Sequence, residues 1–228
     1  MTFACFVTGT DTGVGKSLAS AALLHALARH HARVVGMKPV AAGAEPIGGV
    51  LTNEDAVALR AASTIAVPPA LDNPVLLPDP LSPHIAAQRA GTAIDIGAIA
   101  QAYRQLAEQA DAVVVEGAGG WHVPLSATAT GADLAQALAL PVVLVVGLRL
   151  GCLSHAALTA EAIRARGLTL AGWVVSRIDP AMLAPEDNID WLAGHLGAPL
   201  LADLPHQAVP DARAMAAHYR LPTSWTRP

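Results

Sequence analysis

Apolar residues fall along the chain in two alternating patterns. Short runs rich in β-branched residues are apolar at successive positions, as strands covered on both faces require; they are Phe3–Val7, Val34–Met37, Ala112–Val115, Val142–Val146, Leu170–Val175 and Leu200–Leu201. Longer Ala- and Leu-rich stretches carry helical spacing: Ser17–His30, Glu54–Ala62, Ile94–Gln109, Ser154–Arg166, Asn188–Leu196 and Asp211–His218. This alternation predicts an α/β fold, a parallel sheet covered by helices on both faces. Val67–Pro83 holds six prolines and is expected to be a loop. No period of 20–50 residues recurs, which argues against a solenoid. At 228 residues a single domain spanning 1–228 buries such a core easily.

Composition narrows the class. The chain is 53% hydrophobic, yet its most apolar stretch, Leu138–Leu148, contains Pro141 and Gly147 and is too short to span a bilayer as a helix, so it reads as a buried strand and its approach. The first residues, MTFACFVTG, show neither a basic region nor a small-residue cleavage site, so no export signal is expected. Cys5 and Cys152 stand far apart in apolar surroundings, which is neither a disulfide framework nor a metal set and fits a reducing cytoplasm. With 14 basic and 18 acidic residues, a net charge of −4 and no basic cluster, the surface is unsuited to nucleic acid. No membrane partner is expected either, and the ligand is expected to be small.

Ligands of open parallel sheets collect at the carboxyl ends of the strands. The first strand ends in GTDTGVGKS, Gly9 to Ser17. Its glycines let backbone N–H groups turn inward, the following helix offers its positive end, and Lys16 and Ser17 add an ammonium for phosphate and a hydroxyl for Mg²⁺. The competing reading is a Gly-rich turn that caps a helix. The second strand ends in GMKPVAAG, which places Lys38 at the same edge. Lys16 and Lys38 are the only lysines, the other twelve basic residues being arginine, so lysine stands only where a compact charge would meet phosphate oxygens. A surface lysine before a proline turn is the alternative.

The third strand runs into DAVVVEGAGG. Glu116 ends this apolar run opposite the phosphate loop, where a Mg²⁺ ligand belongs, and a buried carboxylate without a partner would be costly. LTNEDAVAL supplies further acids. Asn53 opens a helix there, Glu54 compensates its dipole, and Asp55 is left open between that role and a metal ligand. LGCLSHAAL, Leu150 to Leu158, places Gly151 and Ser154 just before an Ala-rich helix, whose free amides form a second anion site. His30 and His31 favour the preceding helix dipole, His84 and His122 are solvated loop residues, and Trp121 packs in the core.

VTGTDTGVGKS, GMKPVAAG, NEDA, VVVEGAGGW, LVVGLRLGCLSHA and LTLAGWVVS, in this order, resemble the dethiobiotin synthetases, ATP-dependent carboxylases that close the ureido ring in biotin synthesis. The likeness runs from Phe3 to about Pro205 and implies a P-loop NTPase-like fold. In that family 7,8-diaminononanoate takes up CO₂ on one amine as a carbamate, the carbamate oxygen attacks the γ-phosphate of ATP, and the other amine closes the ring with release of phosphate. The resemblance implies that Thr12 and Lys38 lie beside the carbamate and Lys16 beside the transferred group. It implies that Ser17, Asp55 and Glu116 order Mg²⁺, and that Gly13, Val14, Gly15, Leu18, Gly117, Ala118 and Gly119 frame the nucleotide. The base would meet Ser176, Arg177, Pro205, His206 and Gln207, and Ala42 would face the substrate. Gly151, Cys152, Leu153 and Ser154 of a neighbouring subunit would hold the substrate's carboxylate tail, which implies a homodimer.

Three positions depart from the family's pattern. Ala42 stands where a hydroxyl residue is common, Gly13 where some members carry a carboxylate, and Ser176-Arg177 where an Asn often reads adenine; weak base discrimination is therefore expected. Partition and division-site ATPases are a competing class, but their loop carries an extra lysine where this chain has Asp11. A nucleotide switch of that type would also predict a basic or amphipathic tail, and HYRLPTSWTRP is neither. A non-catalytic nucleotide-binding module, the third reading, would tolerate loss of Lys38 and Glu116.

Overall fold

A computed structural model describes residues 2–47 and 49–226; the first residue of MTFACFVTG, the last two of HYRLPTSWTRP and Gly48 lie outside it. In chain order, β1 (Phe3–Gly9), α1 (Lys16–Leu27) and β2 (Val34–Met37) lead into three short strands, β3 (Val40–Ala42), β4 (Glu45–Ile47) and β5 (Val50–Thr52). There follow α2 (Glu54–Ala62), α3 (Pro69–Asp72), β6 (Val75–Leu77), α4 (Pro83–Arg89), α5 (Ile96–Gln109) and β7 (Ala112–Gly120). The second half runs α6 (Gly131–Leu138), β8 (Val142–Gly147), α7 (Cys152–Ala165), β9 (Leu170–Ser176), α8 (Pro185–His195), β10 (Leu200–Leu204) and α9 (Ala212–Met215).

Six strands form one parallel sheet in the order β10-β9-β8-β1-β7-β2. Because side chains alternate along a strand, Cys5, Val7, Val114, Val143 and Val174 point to the face covered by α1, α2 and α9. Phe6, Val113, Val115, Leu144 and Trp173 point to the face covered by α5, α6, α7 and α8. Continuous apolar runs are thus explained by two cores, as the sequence predicts. Among the described residues no helix is long and apolar enough to cross a membrane.

Strand register places the charged residues. Val7 pairs with Glu116 and Met37 pairs with Val115, so the residue that leaves β2, Lys38, emerges beside Glu116. The strands β1, β7 and β2 are neighbours, which brings the phosphate loop, the acid and the second lysine to one edge.

Several elements differ from the expectation. The helix expected over Ser17–His30 ends at Leu27, and His31 is buried, with Nε2 2.7 Å from the carbonyl of Trp225 and its ring stacked on Phe3. The reason is tertiary, since Trp225 folds back onto Phe3 with ring centroids 4.8 Å apart. Gly151, at φ 95°, turns the chain into α7 at Cys152, so Ser154 lies in the first turn rather than before it. Val67–Pro83 is more than a loop. Pro69 opens the single turn α3, where its missing N–H does no harm, and β6 pairs in parallel with β3. Helix α6 is an element that the apolar pattern does not announce; a reciprocal capping box between Thr130 and Asp133 starts it.

Candidate functional site

The phosphate loop closes on Gly15, which caps α1 in the left-handed region at φ 83°. A Cβ there would run into Ser176 Oγ, so the position needs glycine for both space and conformation. Helix α1 has no acidic residue in its first turn and no side-chain cap, which leaves its N-terminal amides open to an anion. Lys16 is buried and donates to the carbonyl of Asp11 at 2.9 Å. Burial first, and then the nearby charge of Lys38, push its pKa down to about 8.

Lys38 stands at the centre of the charges. Its Nζ lies 2.5 Å from Glu116 Oε1 and 2.7 Å from Asp55 Oδ2. The single Ser17 hydroxyl proton is shared between Asp55 Oδ1 at 2.5 Å and Glu116 Oε1 at 3.0 Å. Asn53, the N-cap of α2, accepts from the Asp55 amide at 3.0 Å, and this cap aims the carboxylate back at the loop. Burial opposes the charge on Lys38, but Glu116 and Asp55 outweigh it and raise its pKa above the ordinary lysine value. Burial likewise opposes the charge on Asp55, and Lys38 with Ser17 outweighs it, holding the carboxyl below its usual range.

This donor set suits a hard divalent cation. Glu116 is fully buried and its Oε2 has no hydrogen-bond partner among the described residues. Two carboxylates and a hydroxyl converge there, all oxygen, and no cluster of three or more His, Cys, Asp or Glu among the described residues is placed to hold a metal. A cation here would therefore complete its shell with phosphate oxygens or water, as Mg²⁺ does.

Beside this centre opens a cleft of about 560 Å³. Thr12, Lys38 and Asp55 supply polar groups to its lining, and Val40, Ala41, Ala42, Leu81, Pro83 and Val123 are among its apolar walls. Ala118 and Gly119 line it as well. Gly119 has φ 56°, and a Cβ on it would press 3.1 Å from Val123 and 3.4 Å from Thr12 Oγ1. Gly117 O is 3.5 Å from Lys38 Nζ. Thr12, Ser17, Lys38, Ala42, Asp55 and Glu116 are thus brought together.

Other expected residues are placed differently. Ser176, at the end of β9, lies against Gly15. The Arg177 guanidinium is committed to Asp203 at 2.7 and 2.8 Å and to Glu186 at 3.1 Å. His206 Nδ1 lies 3.3 Å from the Arg177 carbonyl, and Gln207 Oε1 accepts from the Asp211 amide at 2.9 Å. Gly151, Cys152, Leu153 and Ser154 stand apart from the cleft lining; Cys152 is buried in the core and Ser154 is exposed. An ion pair of 2.8 Å between Arg149 and Asp11 ties the phosphate loop to the start of α7. Trp121 is buried edge-on to Phe6, as expected.

Three residues escape the sequence reading. Asn73 Nδ2 donates to the carbonyl of Lys38 at 2.7 Å, the Lys38 amide donates to the carbonyl of Asp72 at 2.7 Å, and Arg60 grips the Asp72 carboxylate with two bonds of 2.6 Å. The only local sign is an Asp-Asn pair inside the proline-rich stretch.

Comparison with known proteins gives a consistent picture. Residues 4–213 match the family AAA_26, described as an AAA domain. The chain is 54% identical over 221 residues to ATP-dependent dethiobiotin synthetase BioD of Aromatoleum aromaticum, covering 96% of this chain and 97% of that protein. Among solved structures, a ParA family ATPase from Chlorobium tepidum TLS superposes with TM-score 0.58 at 16% identity, covering 91% of this chain and 86% of that one. The septum site-determining protein MinD of Pyrococcus horikoshii OT3, complexed with Mg-ADP, superposes with TM-score 0.56 at 17% identity, covering 91% and 82%. At such identities these two structures show the shared P-loop NTPase fold.

Proposed function

The chain belongs to the dethiobiotin synthetase family and is an ATP-dependent ligase that makes dethiobiotin, and we propose that it does so through a carbamate formed from CO₂ on one amine of 7,8-diaminononanoate. The carbamate oxygen attacks the γ-phosphate of ATP, ADP leaves, and a mixed carbamic-phosphoric anhydride results. The second amine then attacks the carbonyl carbon, closes the ring, loses its proton and expels phosphate. A carbamate is already an anion, so its attack needs no general base.

The observation that carries this reading is the buried Lys38 ammonium, held at the junction of the phosphate loop and the cleft with Thr12 on the same lining. Lys38 and Thr12 hold the carbamate, and Lys16 meets the transferred phosphoryl group. Phosphoryl transfer asks chiefly for positioned cations and dipoles against charge on oxygen, and those are what these residues supply. Ser17, Asp55 and Glu116 hold Mg²⁺, which when bound withdraws charge from the phosphate oxygens. Gly13, Val14, Gly15, Leu18 and the backbone of residues 116–119 cradle the phosphates. Ser176, with the backbone of Arg177 and the segment Pro205, His206 and Gln207, borders the base.

The active unit is a homodimer in which the first turn of α7 from one copy, Gly151 to Ser154, binds the carboxylate tail of substrate in the other. Two features support it. No residue of that turn lines its own cleft, and Leu150 and Leu158 flank it at 94% and 62% exposure. Cys5 and Cys152 are free and buried, in keeping with work in the cytoplasm. The test is phosphate release from MgATP with and without the diamine and bicarbonate. Release that depends on both is expected, and equal release without the diamine would instead favour a nucleotide switch.

A further inference from the structure

The proline-rich segment carries buried polar groups that no step above uses. Asp72 is 3% exposed and Asn73 7% exposed. Lys38 has just left β2, which is the edge strand of the sheet, so its own N–H and C=O have no ladder partner on the outer side. Neighbouring residues of one segment take both. The Asp72 carbonyl accepts from the Lys38 amide at 2.7 Å, and Asn73 Nδ2 donates to the Lys38 carbonyl at 2.7 Å.

The segment is itself held. Arg60 binds both oxygens of Asp72 and reaches Thr52 Oγ1 at 3.3 Å. Arg60 lies on α2, the same helix whose first turn carries Asp55, and Asp55 pairs with Lys38. A closed ring of contacts therefore runs from the Lys38 side chain through Asp55, α2, Arg60 and Asp72 to the Lys38 backbone. Pro68, Pro69 and Pro74 restrict the φ angles around it. An ion pair with one partner at the surface is weak as a source of net stability, whereas its two-point geometry is directional.

We propose that Asn73 and Asp72, held by Arg60, are positioning residues of the ligase reaction that fix where the Lys38 ammonium enters the cleft. The proposal rests on the role given to Lys38 above. Groups that orient a reacting residue typically change activity by about 10–100-fold when removed.

The test measures kcat, KM for the diamine and for MgATP, MgADP binding and thermal unfolding for Asn73→Ala, Arg60→Lys and Lys38→Met. Asn73→Ala is expected to lower kcat by about 10–100-fold while MgADP binding stays within about twofold of the parent, because the phosphate loop is untouched. Arg60→Lys keeps a charge on Asp72 but not the fork, so it is expected to fold and to lose kcat by a smaller factor; it decides the matter if Asn73→Ala does not fold. Parental kcat in the folded variants overturns the proposal, as does a loss of MgADP binding in step with kcat. If Lys38→Met itself keeps parental kcat, the role of Lys38 falls; if Lys38→Met is inactive and the other two are unaffected, only the positioning role falls.

Discussion

Removing Lys38 is expected to damage stability and activity for different reasons, and the two can be separated. In Lys38→Met the fully buried Glu116 keeps only the Ser17 hydroxyl at 3.0 Å and loses the ammonium at 2.5 Å. Breaking a buried pair by deleting one partner costs about 3–5 kcal/mol. Asp55 adds little to this, because at 33% side-chain exposure it recovers solvation. In a protein of this size about 1 kcal/mol corresponds to about 2–4 °C in Tm, so the fall should be about 6–20 °C. In Lys38→Met/Glu116→Gln neither charge remains, and the Tm should return to within about 2–4 °C of the parent, because a neutral pair of matched volume replaces the ion pair. Activity stays lost in both. Calorimetry at neutral pH without nucleotide or Mg²⁺ reads this directly. A Lys38→Met melt within about 2 °C of the parent, or a double variant less stable than the single one, would refute the reasoning.

The Arg177 guanidinium is taken up by Asp203 and Glu186, and Ser176 offers no amide at the edge proposed to border the base, so kcat/KM for ATP, CTP and GTP should differ little; one lost paired contact is worth roughly 1–3 kcal/mol. An ATP preference above a thousandfold would show that another element reads the base. A Lys38→Ala subunit mixed with a Ser154→Glu subunit, each inactive alone, should regain about a quarter of parental activity, since half the dimers are mixed and each mixed dimer has one intact site. Subunit exchange seen by mass spectrometry with no returning activity would contradict a shared site. Bonds from the Thr130 hydroxyl and amide, with Arg166, pull the Asp133 carboxyl from its ordinary 3.8 down to about 2. Its folded pKa is depressed, so its stabilisation is complete above the unfolded value and disappears as pH falls from about 4 toward 2. Asp133→Asn should therefore cost about 1 kcal/mol in urea unfolding at pH 7 and progressively less at pH 3, whereas an unchanged gap between pH 5 and pH 3 would contradict the capping role.

What the sequence makes legible is chemistry at strand ends. GTDTGVGKS declares its conformation through Gly13 and Gly15, both at positive φ, and Lys38 and Glu116 stand where apolar runs stop at one edge of the sheet. Asp55 is balanced between two roles in the sequence because its helix position is local information, whereas its contact with Ser17 crosses 38 residues. The Asn73 bond to Lys38 crosses 35 residues, and the Asp-Asn pair that Asn73 belongs to says nothing of its partner. Proline misleads in the same stretch, because it reads as a breaker while Pro69 in fact begins a helical turn. His31 reads locally as a residue favouring the dipole of the preceding helix, and its contacts with Phe3 and with Trp225, 194 residues away, are invisible there. Helix α6 is hidden because its eight residues run into the apolar approach to β8, where helical periodicity has no room to declare itself.

The charges around the cleft also bear on how a nucleotide arrives. Lys38 stands against Asp55 and Glu116, Arg149 against Asp11, and Arg177 against Asp203 and Glu186, while Lys16 donates to a backbone carbonyl. Each of these cations but Lys16 is paired with an acid, and the whole chain carries a net charge of −4. Long-range attraction for a polyanion is therefore expected to be small, and encounter with MgATP should proceed without marked electrostatic steering. At physiological ionic strength the screening length is about 8 Å, and here screening has little long-range attraction to remove. Association should hold nearly constant from low to high salt, and selection of the nucleotide is left to short-range contacts.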